Sequence, residues 1–372
     1  MGTKPLIIRG GTLVTGFGTK EADIWIEQGQ IRRVAKDRLK KRTDHGKTEV
    51  FDATGYYVLP GFISLPRMGA GRFLPLEEYR RQLASLIRRG TTCFIDTIRV
   101  ESWMDEAQVV YQLARHYNSP IDYSVRLQLT ADAFTADTLR RLRSRGFFLY
   151  EVTLRSVREA AEINWDSLYP SISQSRLAVH LHIPEEAALS VRERSELIRL
   201  WTVACLYGKV RTCIKGAEPL QDEFQDVFYR IAQLSNVQEM RELDRLLQDW
   251  YSFLPAICPA DDWSFPTGKG ARSPAELLSL LVRMSSTNIA KAFGCYPQKG
   301  CLAAGADADL ILIEKDKWLT NFSTGTILKF DEHCFPTYVM SKGKWLYQLG
   351  KYTDAVGTGN YLQKLSLYKF SI

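Results

Sequence analysis

The chain has 372 residues, 45% hydrophobic and 24% charged, with a net charge of +7. This is the composition of an ordinary soluble globular protein, sized for one large domain or a large domain with a small satellite. It excludes a membrane-spanning protein, because no apolar run approaches roughly 18 residues, and a strongly cationic nucleic-acid binder.

The N-terminus, Met1 to Pro5, is polar and has no apolar core of signal-peptide length. The seven cysteines are scattered without a CxxC pair, which suits reduced thiols in a cytoplasmic protein. Short strands separated by turns come first. Leu6-Ile7-Ile8 runs to Gly10-Gly11, and Ala22 to Glu27 alternates, with Ile24 and Ile26 on one face and Asp23, Trp25 and Glu27 on the other. Gln28-Gly29 makes a turn and Ile31 to Val34 continues. The densest basic stretch lies between Arg32 and Lys47, with Arg33, Lys36, Arg38, Lys40, Lys41 and Arg42. It lacks interleaved aromatic residues and contains Asp37 and Asp44, so it reads as a solvated connection, and no nucleic-acid partner is expected. Val50 to Gly55 and an apolar run from Tyr56 to Ile63, broken by Pro60-Gly61, complete the strand-rich opening.

The pattern then changes to strands alternating with helices. Leu76, Tyr79, Leu83, Leu86 and Ile87 share a helical face that Gly90 stops. Strands follow at Thr91 to Thr97, Ile121 to Leu129, Phe147 to Leu154, Leu177 to His182, Val210 to Ile214 and Ala256 to Pro259, most of them separated by helical segments. Such alternation predicts parallel βα units and an α/β barrel. Residues 217–252 read as almost wholly helical, with one barrel strand missing or unrecognisable there. Residues 273–293 are again helical. Strands return at Asp309 to Ile313, Tyr338 to Met340 and Lys344 to Tyr347, and the tail from Thr353 is weakly patterned.

Three stretches carry a family resemblance. The first is Ile7 to Thr15 with Ala22 to Ile31. The second is Phe51-Asp52-Ala53-Thr54-Gly55 running into Leu59-Pro60-Gly61-Phe62-Ile63. The third is Ser286-Thr287-Asn288-Ile289-Ala290 with Tyr296-Pro297-Gln298-Lys299-Gly300 and Gly305-Ala306-Asp307-Ala308-Asp309. In this order they resemble the opening and closing signatures of cyclic amidohydrolases, the dihydropyrimidinase, hydantoinase and dihydroorotase group. The resemblance implies an α/β fold, a distorted and shortened TIM-like (β/α)8 barrel with a small β-sandwich made from both chain ends. The expected division is 1–55 plus 305–352 for the sandwich, 56–304 for the barrel and 353–372 for a C-terminal tail. The chain is shorter than typical members, with the shortfall in the first barrel loops and between Gly216 and Leu254.

Working members of that family hold two metal ions at the barrel mouth, which polarise an amide carbonyl and acidify a bridging water. In this sequence Pro66 and Met68 stand where the first two histidines belong. Proline offers no side-chain donor, and a thioether is a soft ligand unsuited to hydrolytic zinc. Glu151 falls at the bridging carboxylated lysine, His180 retains the fifth-strand histidine, Ile214 falls at the sixth-strand histidine, and Asp261 retains the eighth-strand aspartate. The resemblance therefore implies a degenerate site with His180, Asp261 and Glu151 as remnants. His180, His182 and Asp261 are the candidates for a single metal, because His180 and His182 share a strand face.

Blander readings stand beside these. The carboxylates pair with cations, Arg67 and Arg155 being candidates. The glycines of Gly69-Ala70-Gly71-Arg72 form a short connection and not an anion-binding loop. Cys213 and Cys258 are core thiols. The expectation is a pseudoenzyme, akin to the collapsin response mediator proteins and inactive dihydroorotase-like subunits, that acts as a ligand-binding, regulatory or scaffold homologue. No cofactor is expected, the partners being a small cyclic amide-like ligand and further copies of the chain. The alternative is a hydrolase of cyclic amides or other non-peptide C–N bonds with one zinc ion or none.

Overall fold

The computed structural model describes residues 4–36, 48–66, 68, 74–101, 104–175, 177–215, 229–231, 264–266, 272–324, 327–329, 336–353 and 355–362. The chain opens with strands β1 (Leu6–Thr15), β2 (Gly18–Glu27), β3 (Gln30–Ala35), β4 (Glu49–Asp52) and β5 (Tyr56–Pro60). A run of βα units follows: β6 (Phe62–Ser64), α1 (Leu76–Arg88), β7 (Thr91–Arg99), α2 (Glu106–Ala114), β8 (Asp122–Thr130), α3 (Ala136–Ser144), β9 (Leu149–Thr153), α4 (Val157–Ala161), α5 (Trp165–Ser175), β10 (Ala178–His182), α6 (Val191–Tyr207), β11 (Cys213–Lys215) and β12 (Tyr229–Ile231). Beyond β13 (Ser264–Pro266) come α7 (Pro274–Val282), a π-helical turn Arg283–Thr287, α8 (Asn288–Ala292), β14 (Leu310–Glu314), α9 (Lys315–Thr324), β15 (Ile327–Lys329), β16 (Tyr338–Ser341), β17 (Lys344–Gln348) and β18 (Lys351–Tyr352).

Strands β6 to β12 form one sheet in which spatial order follows chain order and every neighbouring pair is parallel. With a helix after each of the first five strands, it is the curled half of a TIM-like barrel. Local chemistry fixes the helix starts. Asp105 with Gln108 caps α2, Ser190 with Glu193 caps α6, and Ser273 with Glu276 caps α7, each as a reciprocal capping box. The strand Tyr229–Ile231 lies in the segment expected to be helical. Three residues are too few for a two-residue period to show in sequence, and pairing with β11 defines the strand. The expected strand at Ala256 to Pro259 lies outside the described residues.

The two chain ends share a nine-stranded sheet ordered β18-β17-β16-β14-β5-β1-β2-β3, with β4 on β1. Among the described residues they are one hydrogen-bonded sheet. This sheet also takes Tyr56–Pro60, which pairs with β1 and β14, and Gly61 links it to β6 of the parallel sheet. Gly61 is required there because a Cβ would lie 2.0 Å from Thr92 Oγ1. Its N–H donates to the Asp309 carbonyl and its carbonyl accepts from Ser286 Oγ at 2.6 Å, so opening and closing signatures meet at one point.

A buried ion cluster fastens the two sheets. Lys299 Nζ lies 2.6 Å from Asp122 Oδ2 at the start of β8, 2.6 Å from Asp309 Oδ2 and 2.9 Å from Asp307 Oδ2, while Lys342 Nζ reaches Asp122 Oδ1 at 2.7 Å. Burial opposes the charge on Lys299, but the three aspartates outweigh it and hold its pKa well above the ordinary lysine value. Part of the segment expected to be a C-terminal tail is bonded to the start of β8. The Asn360 backbone N–H donates to Asp122 Oδ1, the Asn360 carbonyl accepts from Tyr123 N, and Leu362 N donates to the Tyr123 carbonyl. Residues 355–362 thus form a strap at the N-terminal end of the barrel strands.

Candidate functional site

Ladder register decides which side chains face the barrel interior. Thr97 pairs with Arg126, Gln128 with Glu151, Thr130 with Thr153, Glu151 with His180 and Thr153 with His182, and paired residues in adjacent strands share a face. The C-terminal halves of β7 to β10 therefore carry one polar wall, at the end where barrels of this kind place their chemistry.

Arg126 is the centre of that wall. Its Nη2 donates to Thr97 Oγ1 at 2.9 Å, and its Nη1 forms an ion pair with Glu151 Oε2 at 2.7 Å. Gln128 Nε2 lies 3.1 Å from Glu151 Oε1 and 3.1 Å from His182 Nδ1. Since the carboxylate only accepts, Gln128 must turn its NH2 toward it. His182 Nδ1 then accepts from Gln128 and from Thr153 Oγ1 at 3.4 Å, which leaves the ring proton on Nε2. His182 is 15% exposed at the rim of the wall.

His180 lies deeper. Its ring packs edge-on against Phe293 with centroids 4.9 Å apart, and the Ala292 backbone hydrogen-bonds it. Its Nε2 is buried and has no hydrogen-bond partner among the described residues. Burial, aided by Arg126, pushes its pKa down to about 3, so the imidazole is neutral at physiological pH. The sign of the linkage follows. The unfolded chain takes up this proton near pH 6.5 and the folded chain only near 3, so stability falls as pH drops through that window. His116, lowered chiefly by burial despite its bond to Asp96, acts in the same direction. We expect the loss of stability between pH 6.5 and 4 to be shallower in His180→Phe, measured by urea unfolding. An unchanged slope would contradict the buried neutral assignment.

The structure brings Glu151, His180 and His182 together, whereas Asp261 lies outside the described residues. Arg126 is a cation paired with Glu151. The Arg155 backbone N–H donates to Glu159 Oε2, and Arg67 and Gly69 to Arg72 lie outside the described residues, as does Cys258; the side chain of Cys213 does too. Ile214 pairs with Leu181 and is buried on the face turned away from His180 and His182. The residue paired with His182 is Lys215. Pro66 is half-buried, and Met68 is 2% exposed within the apolar core. The Met68 N–H donates to Asp96 Oδ1 at 2.9 Å, while Asp96 Oδ2 holds Arg115 at 2.5 Å and His116 Nε2 at 3.1 Å.

Arg126, Gln128 and Phe293 were not singled out from the sequence. A signal existed in β8, where Asp122, Ser124, Arg126 and Gln128 place polar groups at every second position of a central strand.

These residues do not fit a pair of metal ions. The strand end after β6 offers a ring without a donor and a buried thioether. Glu151 is neutralised by a guanidinium, and a second arginine, Arg211, also acts electrostatically on His180. Among the described residues, no three His, Cys, Asp or Glu side chains are grouped so as to hold an ion.

Residues 271–346 match the model of the amidohydrolase family. The chain is 21% identical to D-hydantoinase of Geobacillus stearothermophilus, covering 96% of each chain. It is 20% identical to dihydropyrimidinase-related protein 5 of Mus musculus, covering 96% of this chain and 80% of that one. Among solved structures, L-hydantoinase (dihydropyrimidinase) from Arthrobacter aurescens superposes with a TM-score of 0.68 at 15% identity, covering 97% of this chain and 100% of that one. The Geobacillus alignment runs over 467 positions against 372 residues here, so that relative carries segments this chain lacks.

Proposed function

We propose that this chain, which belongs to the cyclic amidohydrolase family, does not perform two-metal hydrolysis and serves as a ligand-binding, regulatory or scaffold homologue. Met68 carries this reading. It stands where the family places a metal-binding histidine, yet its side chain is part of the core and its amide is tied to buried Asp96. An unactivated cyclic amide is a poor electrophile and neutral water a poor nucleophile, and two metal ions supply Lewis acid and hydroxide together. Without them the wall offers acid–base help alone, worth roughly 10²–10⁴-fold. The ligand in this reading is a small cyclic amide-like molecule, the protein is cytoplasmic, and copies of it assemble with one another. Free thiols at Cys93, Cys205, Cys295 and Cys301 suit that compartment. Among the described residues, no helix is long and apolar enough to cross a membrane.

One observation favours a second reading, a hydrolase of cyclic amides or other non-peptide C–N bonds with a mononuclear or metal-free site. His182 reaches the rim, with Glu151 Oε1 3.9 Å from its Nδ1, and the two are joined through Gln128. Assays of hydantoin and dihydrouracil with zinc, manganese and cobalt, alongside His182→Ala and Glu151→Gln, separate the readings. We expect no turnover under any condition. Metal-dependent hydrolysis that disappears in both variants would overturn the non-hydrolytic reading and establish the second.

A further inference from the structure

Arg126 joins several elements of the barrel wall. From β8 it reaches β7 through Thr97 at 2.9 Å and β9 through Glu151 at 2.7 Å. Its guanidinium carbon lies 5.7 Å from the centre of the Phe293 ring, against which His180 of β10 packs. Arg126 and Glu151 are almost fully buried, at 4% and 0% exposure. A buried carboxylate must be matched by positive charge, and a guanidinium provides that charge permanently, together with several donors in one plane. Two imidazoles stand on the same wall, not grouped with Glu151 closely enough to hold an ion as they are. His180 Nε2 is buried and has no partner among the described residues, and His182 Nδ1 is 3.9 Å from Glu151 Oε1. Ligand atoms about 2.0–2.2 Å from one zinc ion lie roughly 3.3–3.6 Å from each other in tetrahedral geometry. Glu151 and His182 are therefore one small rearrangement from chelating distance.

We propose that the Arg126 guanidinium is a tethered cation that replaces a metal ion on this wall, cross-linking β7, β8 and β9 and barring metal from Glu151, His180 and His182. This rests on the reading that the chain does not hold the family's metal pair. A guanidinium keeps the cross-link and the charge balance. It has no open coordination position and no bound water to acidify, so the exchange preserves the fold while removing the hydrolytic centre.

The test compares the full chain with Arg126→Gln, Arg126→Lys and the pair Arg126→Gln/His180→Phe, each titrated with zinc by calorimetry and melted in zinc and in EDTA. The native chain is expected to melt at the same temperature in both. Arg126→Gln is expected to melt roughly 5 °C lower or more in EDTA, to bind about one zinc and to recover in its presence. Arg126→Lys keeps the charge and takes up none, and the paired variant loses the uptake. If Arg126→Gln is soluble only when expressed with added zinc, the inference stands; if it is insoluble in either medium, it falls. No zinc uptake by a folded Arg126→Gln, or uptake undiminished without His180, also overturns it. A native chain that carries zinc and loses stability in EDTA refutes the underlying reading as well. An empty native chain with an empty variant refutes this inference alone.

Discussion

Lys299→Met is expected to lose about 3–5 kcal/mol of stability, the range found when one partner of a buried ion cluster is removed. The methionine fills most of the lysine's volume, so the loss is electrostatic. Asp122, Asp307 and Asp309 would remain buried within one small space, with Lys342 to balance them. Burial already raises the Asp309 pKa even with Lys299 in place, whereas at Asp122 burial is outweighed by Lys299 and Lys342, which lower it. Without Lys299 the carboxylates would have to take up protons, or the terminal sheet would have to separate from the barrel. Urea unfolding of native chain and variant at pH 7 measures the difference. A loss under about 1 kcal/mol, the scale of an exposed ion pair, would show that the cluster does not fasten the two sheets.

The second large effect is expected at the strap. A Cβ on Gly359 would lie 2.0 Å from the Ile121 carbonyl oxygen and 2.9 Å from that of Ser119. Both are backbone atoms, so no side-chain rotation relieves the clash and the strap must lift. Lifting it breaks the bond from Gly359 N to the Ser119 carbonyl and those that Asn360 and Leu362 make with Asp122 and Tyr123. Gly359→Ala should therefore cost about 3 kcal/mol, the upper end for overpacking, and should make the C-terminal segment cleavable by protease under native conditions. Because the strap and Lys299 both bind Asp122, combining the two substitutions should cost less than their sum. Native-like stability with a protease-resistant terminus would contradict the docked assignment.

What was legible in the sequence followed from periodicity and ordered signatures. Alternation at Ile24 and Ile26, the helical face from Leu76 to Ile87 and the βα alternation gave the α/β class. The Pro60-Gly61 and Gly305-to-Asp309 signatures implied that both chain ends belong together, and Asp309 accepts the Gly61 N–H directly. The strand Tyr229–Ile231 was not legible, because tertiary pairing and not local preference defines three residues. The face on which Ile214 lies was not legible either, because a shift of one residue reverses every side chain in a strand, and register is set by the neighbouring strand. At the site, Glu151 and His180 were found by resemblance, but Arg126 was not. Its role depends on Glu151, 25 positions later in the numbering, and becomes visible only when β8 lies beside β9.

Whether the barrel wall holds the metal pair of a working cyclic amidohydrolase decides between the two readings of its function. The most direct measurement is elemental analysis of the native chain purified from cells grown with added zinc, without chelators. The donors missing at Pro66 and Met68, and the guanidinium of Arg126 against Glu151, predict well under about one zinc per chain; close to two would contradict the account.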